Sequence, residues 1–474
     1  MRFLFIEKQI DYEPLGLLSL SSVLRQAGHQ VRLAVAAVED PVAVAREWQP
    51  NVLGYSVYTG SQTYYRDLNL AIKAALPGVL SVFGGPHPTY FPEFVEEPGV
   101  DAVCLGEGEG AILDLAHTLE RGEAPANIDN WWFKRDGDLE RNPVRPPEND
   151  LDRLPFPDRE LLFERDSLTR QSGIKHFITS RGCPYDCTYC FNQALGKLYH
   201  GMARRLRQMS VGRVIEEVRG VQDRYPLQFV VFLDDLFIVH VEWLRDLAAR
   251  FPAEVGLPFF CNVRANLVTA EKMALLKEAG CASVGMGLET GNEALRNAVL
   301  KRNLSNEQIV DASRLIREAG IRLLTTNMLG LPGGSLAHDL ETLALNHACK
   351  PAYANAFLYQ PYPRTELGEY ARENGYVEGS LDEIDSSAWE RSVLRFGSAA
   401  EKRQIENFNK LFALAVEWPW TAGLMLRLAG LPPNGLYRLV YKLWKGYAVK
   451  SRIHPYRPPF REFLQTVGRF MKFD

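Results

Sequence analysis

Three cysteines, Cys183, Cys187 and Cys190, stand within eight positions of a 474-residue chain. The stretch reads Arg181-Gly-Cys-Pro-Tyr-Asp-Cys-Thr-Tyr-Cys-Phe-Asn192, a C-x3-C-x2-C spacing with aromatic residues between and after the thiols. Thiolates favour iron–sulfur and zinc centres. A structural zinc site needs a fourth ligand, and a two-cluster ferredoxin needs more cysteines close by. Neither is evident. Three thiolates on one short loop can hold three irons of a cubane, and the fourth iron is then open to chelate a small molecule. Cys104, Cys261, Cys281 and Cys349 are scattered along the chain and read as small buried residues.

The elements that must position this loop follow from periodicity. Up to about Asn130, short apolar runs alternate with helical stretches. Strands are predicted at Arg2–Ile6, Gln30–Ala34, Val52–Val57, Val79–Phe83 and Ala102–Leu105, with helices such as Leu17–Ala27 and Ser61–Ala75 between them. Alternation at this spacing implies a parallel sheet covered on both faces, with ligands beyond the carboxyl ends of its strands. A second series of strands is predicted at His176–Thr179, Phe229–Leu233, Pro258–Val263, Ser283–Leu288, Leu323–Met328 and Ala354–Gln360. Six strand–helix units suggest a partial (β/α)6 barrel, whose site belongs on its carboxyl-end loops. The cysteine loop follows the first of these strands. The fold class is therefore α/β: a Rossmann-like doubly wound domain (1–141), a proline-rich extended linker (142–174), a partial TIM-type barrel (175–365) and a helical C-terminal region (366–474).

Bulk properties narrow the class. The composition, 46% hydrophobic and 24% charged, suits a globular protein of two or three domains. A net charge of −4 gives no reason to expect a nucleic-acid partner. Seven cysteines argue for a reducing, cytoplasmic setting. The start, Met1 to Glu7, reads as a strand rather than a signal peptide, and no run approaches the roughly 18 apolar residues of a membrane span. From Thr421 onward ten Arg or Lys face only Glu462 and Asp474, with aromatics interleaved. Two readings stand for this region: a helical cover over the substrate with a solvated basic face, or an interfacial patch that makes peripheral contact with an anionic membrane.

The cysteine loop, with Gly182, Pro184, Tyr189 and Phe191, resembles that of the radical S-adenosylmethionine (SAM) superfamily. The doubly wound domain ahead of the barrel resembles the cobalamin-binding subclass. Asp11-Tyr-Glu-Pro-Leu-Gly16, Ser56-Val-Tyr58 and Gly84-Gly85 follow the D-x-H-x-x-G, S-x-L and G-G elements of cobalamin domains, with 39 and 25 residues between them. The resemblance implies a 4Fe–4S cluster on Cys183, Cys187 and Cys190, and SAM contacts from Tyr189, Phe191, Asp234 or Asp235, Arg264, Glu289 and Asn327. It implies a cobalamin site from Glu13, Leu15, Gly16, Ser56, Tyr58, Thr59, Gly84, Gly85, His87, Gly106 and Glu107. Glu13 replaces the motif's cobalt-ligating histidine, so the lower face of cobalt is expected without imidazole from this loop, and Tyr58 is the better candidate to face it than His87.

The activity so implied is C-methylation. The 5′-deoxyadenosyl radical cut from SAM would take a hydrogen from an unactivated carbon, which then accepts the methyl group of methylcobalamin. The pattern also resembles the anaerobic Mg-protoporphyrin monomethyl ester cyclase, which would make the reaction a ring closure. A cofactor-binding protein without turnover is a third reading, against which the complete triplet weighs. The partners implied are a small-molecule or lipid-linked substrate and an external electron donor such as flavodoxin or ferredoxin.

Overall fold

The computed structural model describes residues 1–135, 137–378 and 390–472. The chain forms two compact units. The first comprises Met1–Gln171 with Ala194–Arg207, and the second Ser172–Gln193 with Gln208–Asp474.

In the first unit, strands β1 (Arg2–Glu7), β2 (Gln30–Val35), β3 (Val52–Ser56), β4 (Leu80–Gly84) and β5 (Ala102–Cys104) run parallel. They continue into the antiparallel β6 (Trp131–Arg135) and β7 (Asp138–Arg141). The order is β2-β1-β3-β4-β5-β6-β7. The chain winds outward in both directions from β1 and β3, so their carboxyl ends form the switch point at which doubly wound sheets bind ligands. Leu4, Ile6, Leu53, Tyr55 and Phe83 bury the sheet against the flanking helices. Near-continuous apolar runs of this kind are what a sheet covered on both faces requires.

The connector expected to be an extended linker is instead built into this unit. Ser22 Oγ donates to the Phe156 carbonyl at 2.7 Å, Ser21 Oγ reaches Asp158 at 2.6 Å, and Arg25 pairs with Asp158 at 3.1 Å. Its prolines fix an extended backbone, and polar anchors from the first helix (Leu15–Gln26) hold that backbone down.

In the second unit six parallel strands follow one another in chain order. They are β8 (Ile174–Phe177), β9 (Phe229–Phe232), β10 (Phe259–Val263), β11 (Cys281–Glu289), β12 (Arg322–Leu329) and β13 (Tyr353–Leu358). The first and last do not pair, so the barrel is open. Ser305 starts the helix Asn306–Glu318 with a reciprocal capping box to Gln308, as its sequence signals. The helix Ala399–Glu417 packs on β13.

Residues 449–456 close the amino end of the barrel. Ser283 Oγ bonds the Ile453 carbonyl, Arg322 Nη1 reaches the Ser451 and Arg452 carbonyls at 3.1 and 2.9 Å, and Arg452 Nη1 reaches the Ala352 carbonyl at 3.0 Å. Tyr456 packs on Phe229 and Val231. This part of the C-terminal region therefore lies opposite the cysteine loop, which corrects the expectation of a helical cover over the substrate for these residues. Arg452 is also spent on Glu417 at 2.7 Å, and Arg438 on Glu390 at 3.4 Å. Much of the expected solvated basic face is thus engaged in the fold.

Candidate active site

The cysteine loop leaves the carboxyl end of β8. Cys187 is buried, and Cys183 and Cys190 are half-buried. The Cys187 carbonyl accepts from the Cys190 amide at 3.1 Å, and the Cys190 carbonyl from the Gln193 amide at 3.1 Å. Thr188 ties the loop's middle to the Val299 carbonyl through its hydroxyl at 2.7 Å. Two donors point at sulfur: Arg264 Nη1 lies 3.4 Å from Cys187 Sγ and Asn192 Nδ2 3.6 Å from Cys190 Sγ. Burial pushes the Cys183 thiol up to about 11 and raises that of Cys190, so iron must displace protons there. Among the described residues no group of three or more His, Cys, Asp or Glu is gathered tightly enough for a single ion. A cubane, which takes one thiolate on each of three irons, needs a wider set. Three partly shielded thiols with N–H donors aimed at two of them fit that group.

The other sequence-predicted residues collect at the same strand ends, in two kinds of environment. Asp234 is buried, and its carboxylate accepts from the Thr179 amide (3.0 Å), the Thr179 hydroxyl (2.8 Å) and the Ser180 hydroxyl. Desolvation raises its pKa to about 6 against those donors. It holds the base of the cysteine loop and has no exposed oxygen for a ligand. Its neighbour Asp235 is exposed and receives Asn192 Nδ2 at 2.9 Å. Of the expected pair, Asp235 is the one available to a ligand.

Arg264 is likewise not a free fork. Its guanidinium lies 3.9 Å over the Tyr185 ring, Nε donates to Asn266 at 2.9 Å, and Nη2 to the Arg302 carbonyl. Glu289 ends β11 with a left-handed φ of +68° beside a register shift. Strain of that kind in a non-glycine residue is kept where surroundings over-determine it. Here Glu289 Oε1 accepts from Arg302 Nη1 at 3.0 Å and from the Tyr189 hydroxyl at 3.2 Å, and Arg302 also bonds Tyr189. Burial raises the Glu289 carboxyl, and Arg302 opposes that rise. Phe191 turns its ring toward Tyr362, with centroids 5.7 Å apart. Asn327 is fully buried in an amide ladder, accepting from Asn346 at 2.8 Å and donating to the Asn355 carbonyl at 3.0 Å. That ladder spends its amide inside the sheet.

In the first unit, Tyr58 after β3 and Tyr12 after β1 each stay nearly half exposed, and their hydroxyls meet at 3.2 Å across the switch point. Gly85 has a φ of +91°, and a Cβ there would come within 3.0 Å of the Val57 amide nitrogen and 3.2 Å of Ser56 Oγ. Only glycine lets β4 end this close to β3. A Cβ on Gly84 beside it would sit in ordinary contact 3.9 Å from Cys104 Cβ, Gly16 has open space, and Leu15 is buried in the first helix. A flat ligand with a polar tail fits these exposed phenols and bare strand ends.

Three expected contacts are used otherwise. Glu13 is buried in an ion pair with Arg159 at 2.5 Å. Glu107 pairs with Arg207, and its amide donates to the Tyr199 hydroxyl at 2.7 Å; a Cβ on Gly106 would collide with that hydroxyl. His87 is stacked on Phe91, lies edge-on to Phe94, and bonds Thr59 Oγ1 at 3.2 Å. Arg159, Tyr199, Arg207, Tyr12, Arg302, Asn192 and Tyr185 were not singled out from sequence. Only Tyr185 and Asn192, inside the cysteine loop, and Tyr12, inside the Asp11–Gly16 motif, carried a local signal.

Comparison with known proteins agrees with both units. A family model described as the B12 binding domain matches residues 1–116, and the radical SAM superfamily model matches residues 177–345. An uncharacterized methyltransferase of Pyrococcus horikoshii is 28% identical, covering 77% of this chain and 79% of its own. The anaerobic magnesium-protoporphyrin IX monomethyl ester cyclase of Rubrivivax gelatinosus is 26% identical over 67% of this chain and 58% of its own. The solved structure of the cobalamin-dependent SAM radical enzyme OxsB with aqua-cobalamin shares the fold over 99% of this chain and 75% of its own, with a TM-score of 0.68 and 16% identity. The chain thus carries a B12 binding domain at residues 1–116 and a radical SAM domain at residues 177–345, the two-domain make-up of the cobalamin-binding radical SAM proteins it resembles.

Proposed function

We propose that the protein is a radical SAM methyltransferase that places a methyl group on an unactivated carbon of a small molecule. The observation that carries this is the pairing, in one chain, of an intact three-cysteine loop with a doubly wound unit whose switch point is open. A relative named an uncharacterized methyltransferase, matched over 77% of this chain and 79% of its own, supports the same reading. When bound, the 4Fe–4S cluster supplies the electron that opens SAM, and cobalamin supplies a carrier for the methyl group.

This chain's residues position and shield. Cys183, Cys187 and Cys190 would hold three irons. Asp235, exposed beside Asn192, is placed to accept the ammonium of SAM. Arg264, flat on Tyr185 and bonded to Cys187, sets charge beside the cluster. Glu289, Tyr189 and Arg302 fix the end of β11, where the nucleoside would lie. In the first unit Tyr12 and Tyr58 would face a bound corrin, and Ser56, Thr59, Gly84 and Gly85 would line its nucleotide tail. Glu13, His87, Glu107 and Asn327 act as structural supports. An external flavodoxin or ferredoxin would supply electrons, and an apolar or lipid-linked substrate with a peripheral membrane contact belongs to the same reading.

The test is turnover with SAM labelled on its methyl group, using cluster- and cobalamin-loaded protein. Label in the product is expected. The cyclase relative favours a second reading, a ring closure; product formed with 5′-deoxyadenosine but without label would select it and reject methylation.

A further inference from the structure

The exposed apolar surface of this protein is unevenly distributed. Of the 18 large hydrophobic side chains exposed among the described residues, 11 lie between Trp418 and Val467. On the helix Gly435–Ala448, Leu436, Leu439, Leu443 and Tyr447 follow at i, i+3, i+7 and i+11, which puts them on one face. They are 63, 41, 57 and 55% exposed. The opposite face buries Tyr437, Tyr441 and Ala448, and the Tyr437 hydroxyl anchors to the Leu428 carbonyl at 2.8 Å. The preceding helix, Ala422–Ala429, packs on the same helix, Ala399–Glu417, and presents Leu424 outward. Trp420, at 83% exposure, stands at its start. Scattered surface leucines need no explanation; a continuous stripe flanked by indoles and phenols does.

Charge identifies what covers it. From Trp418 to Arg461 the chain carries eight Arg or Lys and not one Asp or Glu. Arg427 and Arg457 are exposed, and Lys445 is half-exposed. The guanidinium of Arg452 lies 5.3 Å over Trp444, which in turn lies 5.0 Å from Trp418. Leucines along one helix face, aromatics with one polar edge and cations exposed beside them are the composition of a shallow interfacial contact with anionic lipid. No described helix is long and apolar enough to cross a membrane.

We propose that the Trp420–Tyr447 face docks this protein on an anionic bilayer, with Leu436, Leu443 and Trp420 below the headgroups. This gives a location to the membrane contact of the functional reading, and it holds whichever reaction the radical performs. Truncating the region is not a clean test, because residues 449–456 close the barrel. Point variants of the full-length, cluster-loaded protein serve instead, in flotation with phosphatidylcholine vesicles with and without phosphatidylglycerol.

The wild type is expected to float with the anionic vesicles, less with the neutral ones, and less as salt rises. Leu436→Ser with Leu443→Ser is expected to weaken partitioning about tenfold or more, and Arg427→Glu with Arg457→Glu to abolish the lipid-charge preference. The variants retain 5′-deoxyadenosine formation from SAM, so a docking failure is separable from a failure of the chemistry. Docking is overturned if the wild type ignores both vesicles, if the leucine variant floats equally well, or if it merely dissolves a dimer, which would make a second copy the occupant. Should the leucine variant misfold, the arginine variant decides: an unchanged lipid-charge preference overturns the proposal.

Discussion

Arg264 shows how little of a side chain's task its position alone reveals. At a strand end near a SAM site, an arginine suggests a fork for carboxylate. The structure spends its nitrogens on Cys187 Sγ, Asn266 and the Arg302 carbonyl. A cation and an N–H donor at a ligand sulfur stabilise the more reduced cluster. Arg264→Met is therefore expected to lower the reduction potential by about 60 mV, a tenfold change in a one-electron equilibrium. Redox titration followed by electron paramagnetic resonance measures it, and an unchanged potential at full iron content removes Arg264 from that role. The same scale explains the choice between the aspartates. Both sit at the strand end in sequence, but donors from Thr179 and Ser180, more than fifty residues earlier, claim Asp234 and leave Asp235. Glu13 could be read as a missing imidazole, yet its partner Arg159 lies 146 residues away. Long-range partners of this sort leave no local trace, whereas the cysteine triplet, being its own neighbour, did.

At the scale of elements, both strand series were legible because each buried strand is a short apolar run between helical periods. The hairpin Trp131–Arg141 was not, since Trp131-Trp-Phe-Lys-Arg135 alternates weakly and pairs antiparallel against the rhythm before it. β1 carries a feature with a measurable pH signature. At its end, burial pushes the Glu7 carboxyl up to about 8 from 4.5, opposed by the Tyr65 hydroxyl at 3.0 Å. The folded chain thus holds this proton more tightly than the unfolded chain. The stability it contributes is complete below pH 4.5 and is lost as pH rises through 8. Glu7→Gln, neutral at every pH, is expected to melt several degrees above the wild type near pH 9, with the gap narrower near pH 6 and closing only below about pH 4.5. Thermal melts of the two proteins at both pH values test this; parallel curves would mean that Glu7 is charged in the fold. Asp339, pushed up to about 8 by the same cause, leaves a residual slope in the variant.

At the scale of the whole molecule, the C-terminal region reads in sequence as one basic, aromatic stretch. It divides into an outward apolar face and an inward plug, and only packing reveals that division. Tyr456 sits in the plug, its ring on Phe229 and Val231, its hydroxyl 3.3 Å from the Gly173 amide and 2.7 Å from Glu462. Tyr456→Ala is expected to cost the barrel unit about 3–5 kcal/mol, as for other buried aromatics. Denaturant titration followed by circular dichroism would show it, and a loss under about 1 kcal/mol would mean the strands hold without their floor.

The plug also sets a timetable. The last barrel strand ends at Leu358, but the residues that seal the opposite end arrive only with Ile453 and Tyr456. At roughly 5–20 residues per second of synthesis, the nascent barrel waits several seconds with Phe229, Phe260 and Tyr353 uncovered at its base. Over that interval the half-made protein exposes an apolar opening, so chaperone binding during translation is expected to fall once the chain reaches Tyr456.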